Sequence, residues 1–211
     1  HVFKTDPKFL AAKYAGESRW GGGDVRDISW RLNTILWASG RALKITNDEA
    51  VFIECGTGNG YMAAAICEYH DFRSRSPKFY LIDSFSENLI TCEGVETQSP
   101  ASFAYTDNVI EVKQYFKKYP SVKVVKGLIP LVLEQLSETP IAFLHIDLNN
   151  APAESAALQK LKSRLIPGAI IIFDDYGGFG GQEQALVHED FATQNGKDLL
   201  ILPTGQALIV W

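Results

Sequence analysis

The stretch that most constrains the fold is residues 51–66, VFIECGTGNGYMAAAI. A short apolar run of strand length breaks at Gly56-Thr57-Gly58-Asn59-Gly60 and passes at once into alanines and Ile66, which favour helix. Strand, tight glycine turn and helix follow one another without a spacer. Glycine, having no Cβ, takes positive φ and lets the backbone come close to a ligand. Amides at the start of the next helix can then face a polar or anionic group. An ordinary strand-to-helix turn would leave the same trace. Glu54 argues for more, because an acid at the end of an apolar strand needs a partner, either the amides of the turn or a ligand hydroxyl or ammonium.

Further strands are expected at residues 78–82, ending at Asp83-Ser84, and at 122–125, leaving through Lys126-Gly127-Leu128 on the side where a nucleotide base could lie. Two more are expected at 141–146, ending at Asp147, and at 169–173, ending at Asp174-Asp175. Helices are expected at 108–119, 131–136, 154–165 and 184–195, with Pro167-Gly168 as a turn. Near-continuous apolar strands alternating with helices predict a parallel sheet covered on both faces. The last two strands, 199–202 and 207–211, are joined by a link too short for a parallel crossover and form an antiparallel hairpin.

Ahead of this core, residues 2–15 are weakly helical and 16–20 break the pattern. After the loop 20–24, Ile28, Leu32, Ile35, Leu36 and Leu43 recur at helical spacing, with Asp24 as N-cap. The expected organisation is one domain over 1–211, an N-terminal helical cap (1–46) on an α/β core (47–211). Trp20, Trp30 and Trp37 are expected to pack on the core or a partner subunit, which makes a homodimer plausible. The polar stretch 86–106 is long for such a unit and is expected to be a lid or binding loop.

A net charge of −5 argues against nucleic acid or an anionic membrane as partner, and favours a small molecule. The three cysteines lack metal-ligand spacing and an even count, which suits a reducing cytoplasm. No apolar run reaches the roughly 18 residues of a membrane span, and no signal peptide is visible.

Acids at four strand ends, Glu54, Asp83, Asp147 and Asp174-Asp175, should converge on one crevice, since open α/β sheets bind ligands beyond the carboxyl ends of their strands. Asp83, roughly 20 residues past the glycines, is placed to accept from ribose hydroxyls, or else it or Ser84 caps a helix. Asp147, Asp174 and Asp175 could hold a divalent cation, or one could act as general base; a helix-capping role for Asp174 or Asp175 stays open. His145 is expected to be a core residue and His188 to lie on a solvated helix face. Tyr176 and Gln182 are candidates for substrate contact.

ECGTGNGYMAAAI, FYLIDSF, LHIDLNNAPAE, IPGAIIIFDDYG and LPTGQALIVW, in this order and preceded by DISWRLNTILWASGRAL, resemble class I S-adenosylmethionine-dependent methyltransferases, and within them the macrocin O-methyltransferase-like family. The resemblance implies a Rossmann-like seven-stranded sheet, mostly parallel with an antiparallel C-terminal strand. It implies cofactor contacts at Glu54, Gly56, Thr57, Gly58, Gly60, Asp83, Ser84, Gly127 and Leu128. It also implies a Mg²⁺ held by Asp147, Asp174 and Asp175 against substrate hydroxyls, with Asn149 and Tyr176 toward the substrate. Asn149 stands where members of that family carry a second acid, and Asn150 follows in place of an aromatic. The expected reaction is O-methylation of a small hydroxylated metabolite, with Asp147 and Asp174 as catalytic groups. A nicotinamide-dependent oxidoreductase and a catalytically silent cofactor-binding module are the alternatives.

Overall fold

A computed structural model describes residues 1–20, 25–46, 49–86, 89–90, 96–97, 108–177 and 182–211. The loop around Asp24, most of 86–106 and the glycines following Gly177 lie outside the described residues, as does Cys92. The strands are β1 (Val51–Cys55), β2 (Phe79–Asp83), β3 (Leu89–Ile90), β4 (Glu96–Thr97), β5 (Val122–Lys126), β6 (Ile141–Ile146), β7 (Leu165–Phe173), β8 (Leu199–Ile201) and β9 (Ala207–Val210). The helices are α1 (Pro7–Glu17), α2 (Ser29–Ile45), α3 (Tyr61–Tyr69), α4 (Val109–Phe116), α5 (Ala151–Leu161) and α6 (Gln182–Gln194).

Seven strands form one sheet in the order β5-β2-β1-β6-β7-β9-β8, and β3 pairs with β4 apart from it. Pairings from β5 to β7 are parallel; β9 runs antiparallel to both β7 and β8. The fold expected from the sequence is the one observed. Strand order turns back between β1 and β6, where a doubly wound sheet opens its ligand crevice.

Each central strand buries both faces. Phe52, Phe143 and Ile172 pack with α1, α2 and α3, while Ile53, Leu144 and Ile171 pack with α5 and α6. The expected N-terminal cap is part of the first layer, for Phe9 of α1 and Leu32 of α2 share its core. Helix α1 does not break at Gly16 but continues to Glu17. A Cβ there would lie 3.0 Å from the Tyr61 ring, so glycine allows α1 to close on α3. Trp30 packs edge-on against Phe3, and Trp37 is exposed.

Three boundaries differ from expectation. Helix α2 starts at Ser29, too far along for Asp24 to cap it, and Asp27 accepts from the Ser29 N–H and hydroxyl there. Residues 131–135 form a 3-10 turn instead of an α-helix, a common outcome for so short a segment, here entered from Pro130. Helix α5 begins at Ala151, capped by the Asn150 side chain, and ends early because β7 starts at Leu165. Pro167-Gly168 is an irregularity inside that strand: Leu165 pairs with Ile141 and Ile170 with Phe143, while Gly168 N–H donates to the Trp211 carbonyl at 2.8 Å.

Gly56 has φ +92°, and a Cβ on it would stand 1.7 Å from the Asp147 carbonyl oxygen; Gly58 has φ +52° with open space beside it. Gly56→Ala should therefore cost about 3 kcal/mol or more of stability, against about 1 kcal/mol for Gly58→Ala, read from urea unfolding.

His70 Nε2 lies 3.2 Å from the Leu36 carbonyl and 3.0 Å from Ser39 Oγ, tying the end of α3 to α2. Burial lowers its pKa to about 4, beyond what the Leu36 carbonyl restores. An imidazole kept neutral in the fold contributes stability that is whole above about pH 6.5 and lost as the pH falls toward 4. Compared with His70→Asn, the native chain should surrender on the order of 2–3 kcal/mol across that window in chemical unfolding.

Candidate active site

The parallel ladder runs on past the strands proper and carries the acids to one edge. Asp147 N–H donates to the Cys55 carbonyl at 2.8 Å, and Asp174 N–H to the Ile146 carbonyl at 3.0 Å. The glycine turn is pinned to the neighbouring strand in the same way, Gly56 and Thr57 N–H both reaching the Ile82 carbonyl. Gly60 starts α3, and a Cβ there would strike the Phe116 ring at 2.5 Å. Gly56 and Gly60 are thus required by packing, and Gly58 alone of the three has open space over it among the described residues.

Asp83 turns back onto this loop. Its carboxylate accepts from Gly58 N–H and from Phe85 N–H, each at 2.7 Å, with Ser84 Oγ at 3.5 Å. Burial raises its pKa in spite of those amides. A carboxylate has about four acceptor positions, so two amides leave room for ribose hydroxyls. Gly127 N–H donates to the Asp83 carbonyl, and Leu128 opens the following turn; a Cβ on Gly127 would meet Val132 at 2.6 Å, which makes this glycine a packing requirement too.

Side chains alternate along a strand, so Glu54, His145 and Asp174, two residues beyond Phe52, Phe143 and Ile172, share the face packed by α2. His145 Nδ1 donates to Glu54 Oε1 at 2.9 Å, and its Nε2 approaches Asp174 Oδ1 at 3.8 Å, an electrostatic contact too long for a hydrogen bond. Asp174 is bonded on both oxygens: Arg31 Nη1 reaches Oδ2 and Gln206 Nε2 reaches Oδ1, each at 2.7 Å. Arg31 also stands 3.4 Å from Asp175 Oδ1 and donates from Nε to the Thr204 carbonyl.

The charges set one another. Burial works against protonated His145, but Asp174 and Glu54 outweigh it and raise its pKa to about 10. Burial likewise works against Asp174 ionisation, yet His145, Arg31 and Gln206 hold its pKa below the ordinary carboxylate value. Asp147, half-buried, is pushed well above that value, first by desolvation and then by the negative charges of Asp174 and Asp175. Asp175 is raised by desolvation and by Asp174.

The three acids expected to hold a metal do lie together, but not as an open ligand set. Among the described residues no group of three His, Cys, Asp or Glu side chains is arranged to hold a metal ion. Asp174 has both oxygens engaged, and a guanidinium sits between it and Asp175. Mg²⁺ demands close octahedral oxygens and does not fit beside that group. Asn149 has φ +53°, its amide 3.5 Å from Asp147 Oδ1.

Several expected contacts fall elsewhere. Tyr176 donates to Glu189 of α6 at 2.5 Å and packs on the opposite face from Arg31. His188 is not solvated; it is buried, stacked on Phe173, and paired with Glu154 at 2.6 Å. Gln182 is exposed at the start of α6. Arg31 and Gln206 were not read from the sequence, since both belong to elements remote from the strand ends. His145 had a visible signal: it and Glu54 are ionisable residues in otherwise apolar strands.

The region also fits a cofactor bearing an ammonium and hydroxyls. Glu54 Oε2, Thr57 Oγ1 and His145 Nε2 are buried with no hydrogen-bond partner among the described residues, all at or beside the strand that enters the glycine turn. Such atoms cost free energy unless a ligand or water meets them.

A family model described as a methyltransferase domain matches residues 53–176. Comparison with curated proteins gives no match. Among solved structures the chain is similar to the calicheamicin methyltransferase CalS11, with TM-score 0.69 and 14% identity over 98% of this chain and 93% of that one. It is similar to the O-methyltransferase NovP, with TM-score 0.67 and 18% identity over 85% and 78%. It is similar also to the SAH-bound Podospora anserina methyltransferase PaMTH1, with TM-score 0.57 and 17% identity over 98% and 88%. At such identities the likeness is one of fold.

Glu54 and His145 form a buried pair, so removing one partner strands the other. Glu54→Leu or His145→Leu alone should cost about 3–5 kcal/mol, and the double variant clearly less than the sum, in a double-mutant cycle by urea unfolding.

Proposed function

Because the chain belongs to the methyltransferase-domain family, matched over more than half its length, we propose that it transfers a methyl group from S-adenosylmethionine to an oxygen of a small hydroxylated metabolite in the cytoplasm. The observation that carries this reading is the pair of buried atoms with no hydrogen-bond partner among the described residues, Glu54 Oε2 and Thr57 Oγ1, at the strand end and glycine turn that include Gly58. Family membership favours methyl transfer over the hydride transfer of a nicotinamide enzyme. Assignment to the macrocin-like group rests on the order of its motifs and is part of the same proposal.

When bound, the cofactor supplies a methyl already activated on a sulfonium. Glu54 would hold its ammonium, and Asp83, fixed by the Gly58 and Phe85 amides, would hold the ribose. Gly127 and Leu128 would border the base. The protein then has two tasks, to align the acceptor for in-line attack and to take up its proton. Asp147 is the base in this reading. It is half-buried, stands at the end of β6, and is held at a raised pKa, which makes its carboxylate a stronger proton acceptor than an exposed one.

Calorimetry should detect binding of S-adenosylhomocysteine and none of NADH; the reverse would overturn the proposal. A panel of hydroxylated small molecules, screened with methyl-labelled cofactor, should then yield an acceptor. With that acceptor, turnover should climb as the pH rises, because the basic form of Asp147 fills in only above its raised pKa. Asp147→Asn should lose about 100-fold or more in turnover and flatten the profile, with cofactor affinity changed by less than about three-fold.

A further inference from the structure

An acid cluster at neighbouring strand ends ordinarily invites a divalent cation. Here the cluster already contains a cation belonging to the protein. Arg31 enters from α2 on a side chain about one-quarter exposed (23%), and its guanidinium is fastened on two sides. Nη1 lies 2.7 Å from Asp174 Oδ2 and 3.4 Å from Asp175 Oδ1, while Nε donates to the Thr204 carbonyl at 3.1 Å. Gln206, itself fully buried, takes the remaining oxygen of Asp174 at 2.7 Å. Asn149 offers a neutral amide where another carboxylate would strengthen a metal site.

We infer that Arg31 occupies the place of the divalent cation in this site, so that the acceptor oxygen meets a guanidinium and no metal ion is bound there. The inference rests on the methyl-transfer reading of the same crevice. Its physical basis is exclusion. A metal would need the inner oxygens of Asp174 and Asp175 at coordination distance, and could have them only by expelling Arg31 from two ion pairs and a carbonyl bond. A planar guanidinium pointing several donors along fixed directions can instead neutralise both acids and still face the crevice.

The test is direct binding of Mn²⁺ to the full chain, followed by the loss of the free-ion electron paramagnetic resonance signal. The native protein should leave that signal unchanged at millimolar Mn²⁺. Arg31→Met, which keeps most of the side-chain length without charge, should open the acids and tighten Mn²⁺ binding by about ten-fold or more. Adding Asp174→Asn to that variant should remove the gain. Two results would overturn the inference: native protein that binds Mn²⁺ and loses it on Asp174→Asn, or a folded Arg31→Met that binds no better than native. The first needs no Arg31 variant, so the inference stays exposed to test even if Arg31→Met fails to fold. Calorimetry with S-adenosylhomocysteine on the same samples separates the two readings. Mn²⁺ bound with S-adenosylhomocysteine affinity intact sinks only the arginine assignment, whereas a native chain without that affinity sinks the methyl-transfer reading.

Discussion

A buried line of alternating charge, Glu54–His145–Asp174–Arg31, runs across β1, β6 and β7 and ends on α2. Glu54, His145 and Asp174 are shielded from water and Arg31 partly so, and each depends on its neighbours: leaving one unpaired is costly, while the chain as a whole is balanced. Its structural effect is to fix α2 against the carboxyl edge of the sheet, where apolar packing alone would tolerate sliding. Gln206 extends the tie to the β8–β9 hairpin through the second oxygen of Asp174. Helix α2, the central strands and the terminal hairpin therefore meet at one carboxylate.

The glycine turn is built on a second constraint, close backbone approach. Gly56 allows the loop to lie against the Asp147 carbonyl, which sets β1 and β6 in the relation that brings Glu54 opposite His145. Asp83 then closes the loop from the other side through the Gly58 amide. Among the described residues, the open side of Gly58 adjoins buried polar atoms lacking partners, which is how a fold marks a place for a polar ligand. One loop thus serves packing at Gly56 and Gly60 and leaves access at Gly58.

Much of this was legible in order along the chain. Strand after strand of apolar residues, four of them closing on an acid, announced a parallel sheet with charged tips, and the short link at 203–206 announced an antiparallel finish. Boundaries failed where a distant partner overruled local signals. Pro167-Gly168 has the composition of a turn, but Gly168 and Ala169 are bonded to Trp211 and held in a strand. Gly16 looked like a helix breaker and is instead a contact with Tyr61. His188 sat on a helix with polar neighbours, and only the position of Glu154 on α5 explains its burial.

The sequence by itself determined the class of fold, the direction of its strands and the edge at which its acids would collect, because these follow from period, turn length and the placement of glycine, all local properties. Tertiary structure alone decided what each acid faces. Ion pairing depends on distances of a few ångströms between residues far apart in the chain, 143 positions for Arg31 and Asp174, and no local pattern carries that information. Three strand-end acids read along the chain as an open metal site; in space, an arginine from the second helix stands among them.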